Sequence, residues 1–312
     1  MVKQTKTIKN KNKKKQKNKS SKNITNKQKK QNKTKKLFKR DQCAPRNKFY
    51  FTCYSNDALI NLRDKWNTRH EDNKIESNDP QTIWKKLKNF MKNTCYRESC
   101  WLRQNFIKYN LDDELLHYTF APKYPNEWKM KPNEWLSSVD ILNVMHQYEK
   151  KFKEFEFMGP SPIDYDLKKH HGECVWDELC KFNLMQFLKK NKNKVGIIFN
   201  LDKHYQSGSH WVAVFLSMDK KEIYYFDSYG DKPPANILRF IKGIQKQGEN
   251  LGLKIKYLYN TNRHQYGDSE CGMYCLYFII SMLQYGGNFQ HFLETKISDK
   301  EVMDLRKVYF NY

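Results

Sequence analysis

Apolar residues recur at helical spacing through the first half of the chain and at strand-like spacing beyond Lys194. Between Asn56 and His70, Leu59, Leu62 and Trp66 fall on one helical face, behind a Ser55 or Asn56 cap. Asp79-Pro80 opens a second helix, with proline at its first position and Ile83, Trp84, Leu87 and Phe90 at helical spacing. Pro122, Pro125 and Pro132 then interrupt an aromatic-rich segment. A further helix starts at Ser137 or Ser138 and runs to about Lys151 on Val139, Leu142 and Met145, and Val175 to Lys190 reads as helical too. After Lys194 the apolar segments are short and β-branched or aromatic: Val195 to Asn200, Trp211 to Ser217, Glu222 to Asp227 and Lys254 to Tyr259. A helix from about Ala235 to Gly248 separates the last two strands, and Cys271 to Tyr285 forms a long apolar helix. This order predicts an α+β fold, with a helical N-terminal part followed by a central, mostly antiparallel sheet flanked by helices.

Met1 to about Gln42 has neither period. Residues 1–40 hold 18 Lys and Arg and no acid, whereas the rest holds 40 basic and 34 acidic side chains. Such a stretch buries too little to offset chain entropy and is expected to be disordered. It reads equally as a nuclear-import signal, a polyanion anchor or a plain solvated tail, and through residues 3–40 it binds nucleic acid non-specifically at low salt. The expected organisation is a basic tail over 1–42, a helical extension over 43–133 and a third part over 134–312 that carries the chemistry. The N-terminus has no apolar stretch resembling a signal peptide, so a reducing interior and eight free thiols are expected. The longest apolar run, near Cys275 to Leu283, is too short to span a bilayer, and no membrane role is expected.

Metal and cofactor chemistry fit poorly. The cysteine pairs stand four to six residues apart rather than as CxxC, and His170-His171 with Cys174 offers at best half a zinc site. There is no Gly-rich phosphate loop, since Tyr285-Gly286-Gly287-Asn288 reads as a helix C-cap, and no G-x-S-x-G elbow. No metal and no cofactor are expected.

One set of residues does suit chemistry. Cys271 stands in Gly267-Asp268-Ser269-Glu270-Cys271-Gly272 just before the apolar helix, where the helix dipole favours thiolate and first-turn N–H groups can receive an oxyanion. Gly272 is expected to leave room for substrate. His210 follows a Gly208-Ser209 turn and opens a strand, placed to move a proton across a cleft. Asp227 ends the next strand, and a hairpin brings its end beside His210, where a carboxylate fixes the imidazole tautomer. Gln265 lies six residues before Cys271 and offers a side-chain amide to an oxyanion. Taken singly, each residue has a plainer reading: a buried small hydrophobe, a surface imidazole, a turn cap, a solvated amide. Together they supply nucleophile, base, orienting group and oxyanion donor for acyl transfer through a thioester.

The pattern His210-Trp211, Asp227-Ser228, Gln265, then Cys271-Gly272 resembles the clan of cysteine proteases that includes the SUMO-deconjugating enzymes and adenain, the adenovirus-type maturation protease. Their order is opposite to papain's, and the resemblance covers about Glu134 to Tyr285. It implies the Ulp1-adenain variant of the papain-like fold, no cofactor, a protein substrate, and the roles above for His210, Asp227, Cys271 and Gln265. Trp135 in Glu134-Trp135-Leu136-Ser137 matches the clan's Trp-Leu segment; with Trp211 it would wall a tunnel for a Gly-Gly substrate end, although both are also readable as core aromatics, Trp211 equally so. Trp66, Cys100-Trp101-Leu102-Arg103 and the Pro-Asn-Glu-Trp repeats at Pro125 and Pro132 resemble the maturation proteases of large nucleocytoplasmic DNA viruses. That likeness implies processing of structural or core precursors in host cytoplasm, viral factory or virion, with the tail allowing a nuclear site. The rival readings are a SUMO- or ubiquitin-like isopeptidase, an acetyltransferase on the same fold, and a basic nucleic-acid-binding protein with an inactive protease fold.

Overall fold

A computed structural model of the protein describes residues 37–45, 51–107, 113–169, 171–284 and 286–312. The predicted disorder and nucleic-acid contact of the basic tail fall almost wholly outside these residues.

The sheet contains β1 (Phe155–Phe157), β2 (Ser161–Pro162), β3 (Lys194–Asn200), β4 (Trp211–Ser217), β5 (Glu222–Phe226) and β6 (Lys256–Tyr259). Its order is β1-β3-β4-β5-β6, with β2 also pairing with β3. The β3-β4-β5 centre is antiparallel, but β1, β2 and β6 join it in parallel. The sheet is therefore mixed, and antiparallel only in its middle. β1 and β2 are two or three residues long, too short for any period to show.

β4 is buried along its whole length, because helices cover both faces of the sheet. Alternate residues serve opposite sides. Ala213, Phe215, Tyr224 and Phe226 pack with α4 (Ser138–Lys151) and α8 (Cys271–Gln284), while Val212, Val214, Ile223 and Tyr225 pack with α6 (Leu184–Lys189) and α7 (Ala235–Asn250). α8 has no polar face in its sequence, and nearly all of it is buried.

Preceding the sheet, α1 (Asn56–Arg69), α2 (Pro80–Met91) and α3 (Asp113–Tyr118) surround a separate core that includes Leu59, Leu62, Trp66, Ile83, Leu87 and Trp101. Ser55 and Asp79 cap α1 and α2 as the sequence suggests. After α8 the chain closes through α9 (Gln290–Glu294), α10 (Asp299–Asp304) and α11 (Arg306–Tyr309).

Several local expectations are corrected. Val175 to Lys190 is not one helix but α5 (Asp177–Cys180) and α6, because the Asn183 side chain accepts from Gln186 N–H and starts a new helix. α4 buries Ile141, Val144, Met145 and Tyr148, and Val139 faces out at 63% exposure. Six of the eight cysteines are not free: Cys43–Cys53, Cys95–Cys100 and Cys174–Cys180 are disulfide-bonded, leaving Cys271 and Cys275 as thiols. Each bonded pair is brought together by a short local loop of 5 to 10 residues, a proximity that sequence spacing alone does not distinguish from chance. Among the described residues no helix is long and apolar enough to cross a membrane.

Candidate active site

The β3–β4 connection delivers His210 to the start of β4. Asn200 Oδ1 at the end of β3 accepts from the Asp202 and Ser209 N–H groups, and Leu201 N–H donates to His210 O. Gly208 closes this turn at φ +95°, where a Cβ would stand 2.8 Å from Asn200 Nδ2. The register of β4 with β5 pairs Ala213 with Phe226, so Asp227 emerges beside His210. His210 Nε2 meets Asp227 Oδ1 at 2.8 Å, with both side chains buried. Tyr229 N–H donates to the same oxygen at 2.8 Å, and the Tyr229 ring stacks on the imidazole with centroids 4.6 Å apart. Behind Asp227, Asn260 brackets the backbone: its Oδ1 accepts from Asp227 N–H and its Nδ2 donates to Asp227 O.

With Nε2 committed to Asp227, Nδ1 is the imidazole atom left for another partner, and Cys271 is that partner. Burial opposes a charged imidazole here. The hydrogen bonds His210 makes to Asp227 and then to Cys271, together with their charges, outweigh it and lift the His210 pKa from 6.5 to about 9. His210 is therefore an imidazolium at neutral pH. Cys271 is the first residue of α8 and 1% exposed, at the positive end of the helix dipole. Cys275, one turn on, is fully enclosed, and burial pushes its thiol well above the usual range.

Gln265 is completely buried. Its backbone N–H and that of His264 both donate to Ser228 O, while Ser228 Oγ donates to Gln265 Oε1 at 2.7 Å. That contact points the amide nitrogen the other way, to Gly267 O at 2.9 Å and, more weakly, Glu270 Oε2 at 3.5 Å. Consecutive residues thus serve two halves of the site: Asp227 holds His210, and Ser228 holds Gln265.

Trp211 is buried, and its indole N–H donates to Leu136 O at 3.2 Å. Trp135 is half-buried against the same core, and both tryptophans line a groove of about 1060 Å³ that also includes Gly159, Trp176 and Asn200. Gly272 does not leave space for substrate, as its position suggests; a Cβ there would lie 3.0 Å from Leu136 Cβ, so the glycine admits Leu136 instead. Cys174, a candidate zinc ligand, is bonded to Cys180, and His170 lies outside the described residues. Among the described residues no group of three or more His, Cys, Asp or Glu could hold a metal.

The fold therefore gathers His210, Asp227 and Cys271, sets Gln265 in the loop leading to the cysteine, and puts both tryptophans along one groove. Ser228, Tyr229, Asn260 and Glu270 escape sequence reasoning. Ser228 and Glu270 are at least visible as the immediate neighbours of Asp227 and Cys271.

Comparison with known proteins agrees with this architecture. Residues 188–311 match the model of the Ulp1 protease family, C-terminal catalytic domain. The putative thiol protease R355 of Acanthamoeba polyphaga mimivirus is 31% identical over 290 residues, covering 86% of this chain and 92% of that protein. A SUMO-1 cysteine protease of African swine fever virus (isolate Pig/Kenya/KEN-50/1950) is 35% identical over 244 residues, covering 72% and 87%. A crystal structure of the African swine fever virus protease superposes with a TM-score of 0.59 at 22% identity, over 86% of this chain and 95% of that one, which extends the shared fold into the N-terminal part.

Proposed function

This chain is a cysteine peptidase of the Ulp1 protease family, and on that premise we propose that it is an endopeptidase that cuts precursor proteins after small, Gly-Gly-like residues. The observation that carries the reading is His210 held between Asp227 and Cys271. The Cys271 sulfur attacks the scissile carbonyl as a thiolate facing the His210 imidazolium. Negative charge developing on the carbonyl oxygen is received by the Cys271 backbone N–H and the Gln265 amide. As the C–N bond breaks, His210 gives its Nδ1 proton to the leaving amine, and the acyl group stays on sulfur as a thioester. Water then attacks; His210 takes its proton, and the thiolate and the carboxylic acid are released, with His210 again an imidazolium. Asp227 keeps Nε2–H directed at itself, so Nδ1 faces the sulfur throughout.

Trp135 and Trp211, which line one groove, favour residues without side chains at the two positions before the cut. The viral relatives support precursor processing, with the basic tail concentrating the enzyme on nucleic acid in cytoplasm, viral factory, virion or nucleus. A second reading, isopeptidase action on a SUMO- or ubiquitin-like conjugate, is favoured by the name SUMO-1 cysteine protease borne by one relative. Two measurements test the proposal. A Gly-Gly fluoromethyl ketone should modify Cys271 and no other residue, and Cys271→Ala should abolish cleavage of a Gly-Gly-containing precursor while keeping the fold; an active Cys271→Ala protein ends this mechanism. Rapid labelling by a SUMO vinyl sulfone, with no cleavage of linear precursors, replaces the first reading by the second.

A further inference from the structure

Arg306, on α11, is only 2% exposed, yet the partners of its side chain are not carboxylates. Nη1 donates to Pro132 O at 2.7 Å, Nη2 donates to Glu134 O, and the guanidinium lies over the Trp128 ring at 4.0 Å. Nε has no partner among the described residues. A buried cation bonded to carbonyls, with Glu270, Asp140 and Glu134 acting on it only through their charge, is a poor device for stability, since desolvation outweighs them. Burial accordingly pulls the Arg306 pKa below the ordinary arginine value. As a device for geometry it is apt. A planar fork spans two carbonyls two residues apart, which a lysine ammonium on its flexible stem does not reproduce.

What the fork holds is the turn directly before Trp135. The next residues are fixed from the other side. Leu136 O accepts from the Trp211 indole, Leu136 packs where a Cβ on Gly272 would stand, and Ser137 with Asp140 forms a capping box that starts α4. Trp135 is thus a short span between the Arg306 fork and a contact that reaches the residue after the nucleophile. We infer that Arg306 is a specificity-determining residue, clamping the Pro132–Glu134 turn so that the Trp135 wall cannot move aside for a substrate side chain next to the scissile bond. The inference rests on the Gly-Gly reading and deepens it. An extra methyl on the substrate is rejected only if the wall does not yield, and the yielding is controlled from α11, outside the groove.

The test uses the full chain and three fluorogenic peptides that end in Gly-Gly, Gly-Ala or Ala-Gly before an aminomethylcoumarin. One methyl against a rigid apolar wall is discriminated roughly 10- to 200-fold. For Arg306→Lys the ratio of kcat/KM for Gly-Gly over Gly-Ala is expected to fall about tenfold, with the alanine peptide gaining rate in absolute terms. Backbone hydrogen exchange across residues 131–137 is expected to quicken in the same variant. Trp135→Phe, which opens the wall directly, serves as the reference. If Trp135→Phe relaxes the ratio but a folded Arg306→Lys leaves it within about twofold while both rates drop together, Arg306 is a strut and this inference fails alone. If the wild-type protein does not prefer glycine, the Gly-Gly reading and this inference fail together. Arg306→Gln is the second variant, and failure of both to fold also overturns the inference in favour of a purely structural role.

Discussion

Replacing Asp227 by asparagine should change the pH dependence of this enzyme more than its architecture. The His210 pKa rises from 6.5 to about 9 although burial alone would lower it, so the surrounding groups outweigh burial in favour of the imidazolium by roughly 3 kcal/mol. Asp227 is the first of them, through its 2.8 Å bond to Nε2. An asparagine can still accept from Nε2–H, but it brings no charge, and burial then dominates. If the variant's His210 falls to its ordinary value or below, about a tenth or less of it is protonated at pH 7.5, against nearly all in the wild type. The alkaline limb of kcat/KM, near 9 in the wild type, should therefore move down by more than one pH unit, with activity at pH 7.5 reduced about tenfold or more and the deficit shrinking toward pH 5.5. The sign for stability follows from the raised folded-state value. The Asp227 contact therefore stabilises the fold fully below about pH 6.5, and that contribution is lost as pH climbs through about 9. Urea unfolding of the wild type should weaken over this window, and Asp227→Asn should show little of that loss. Rate profiles on a Gly-Gly peptide between pH 5.5 and 10, with unfolding at both ends of the window, check both statements. An alkaline limb that stays near 9 in Asp227→Asn would refute the argument that this carboxylate sets the proton inventory of the site.

Three further outcomes are expected. Gly230 has φ +79°, and an added Cβ would lie 2.8 Å from backbone atoms of Thr261 and Asn262, so Gly230→Ala should lower unfolding free energy by about 2 kcal/mol and slow turnover by shifting the Asp227-Ser228 turn; an unchanged urea midpoint contradicts it. Ser228→Ala leaves the buried Gln265 Oε1 without its donor, a loss of roughly 1–3 kcal/mol, and frees the amide to turn; kcat should fall with KM nearly constant, and a pure KM effect would show that Gln265 does not serve the transition state. Alkylation in denaturant without reductant, read by mass spectrometry, should label two cysteines, Cys271 and Cys275; eight labelled thiols would show that the three disulfides do not form.

How much of this is readable in the chain depends on whether the information is local. α1 and α2 declare themselves through caps and helical spacing, α7 through helical spacing, and β3, β4 and β5 through short β-branched runs, because each of those signals lies within its own segment. The same holds for the site: a His at a strand start, an Asp at the next strand end and a Cys at a helix start occupy element boundaries, which a hairpin and a following helix bring together. The missed features depend on partners far away in sequence. β1 and β2 exist because β3 offers them a parallel edge, and nothing in three residues announces it. The buried face of α4 is decided by what α8 and the sheet present to it, so Val139, apolar and near that face in sequence, ends outside it.

Gly272 makes the same point within the site itself. In isolation a glycine after a nucleophile suggests access for substrate, and only the fold reveals Leu136 filling that space. That single contact ties the nucleophile's helix to the Trp135 segment, and Arg306 ties the segment to the end of the chain. The amide, the carboxylate and the proposed tryptophan wall thus depend for their placement on neighbours that carry no chemistry of their own: Ser228 for the amide, Asn260 for the carboxylate, Leu136 and Arg306 for the wall. A substitution among those neighbours should alter selectivity or pH response before it abolishes cleavage, whereas one at Cys271 or His210 should abolish it outright, because only those two side chains exchange a bond or a proton with the substrate.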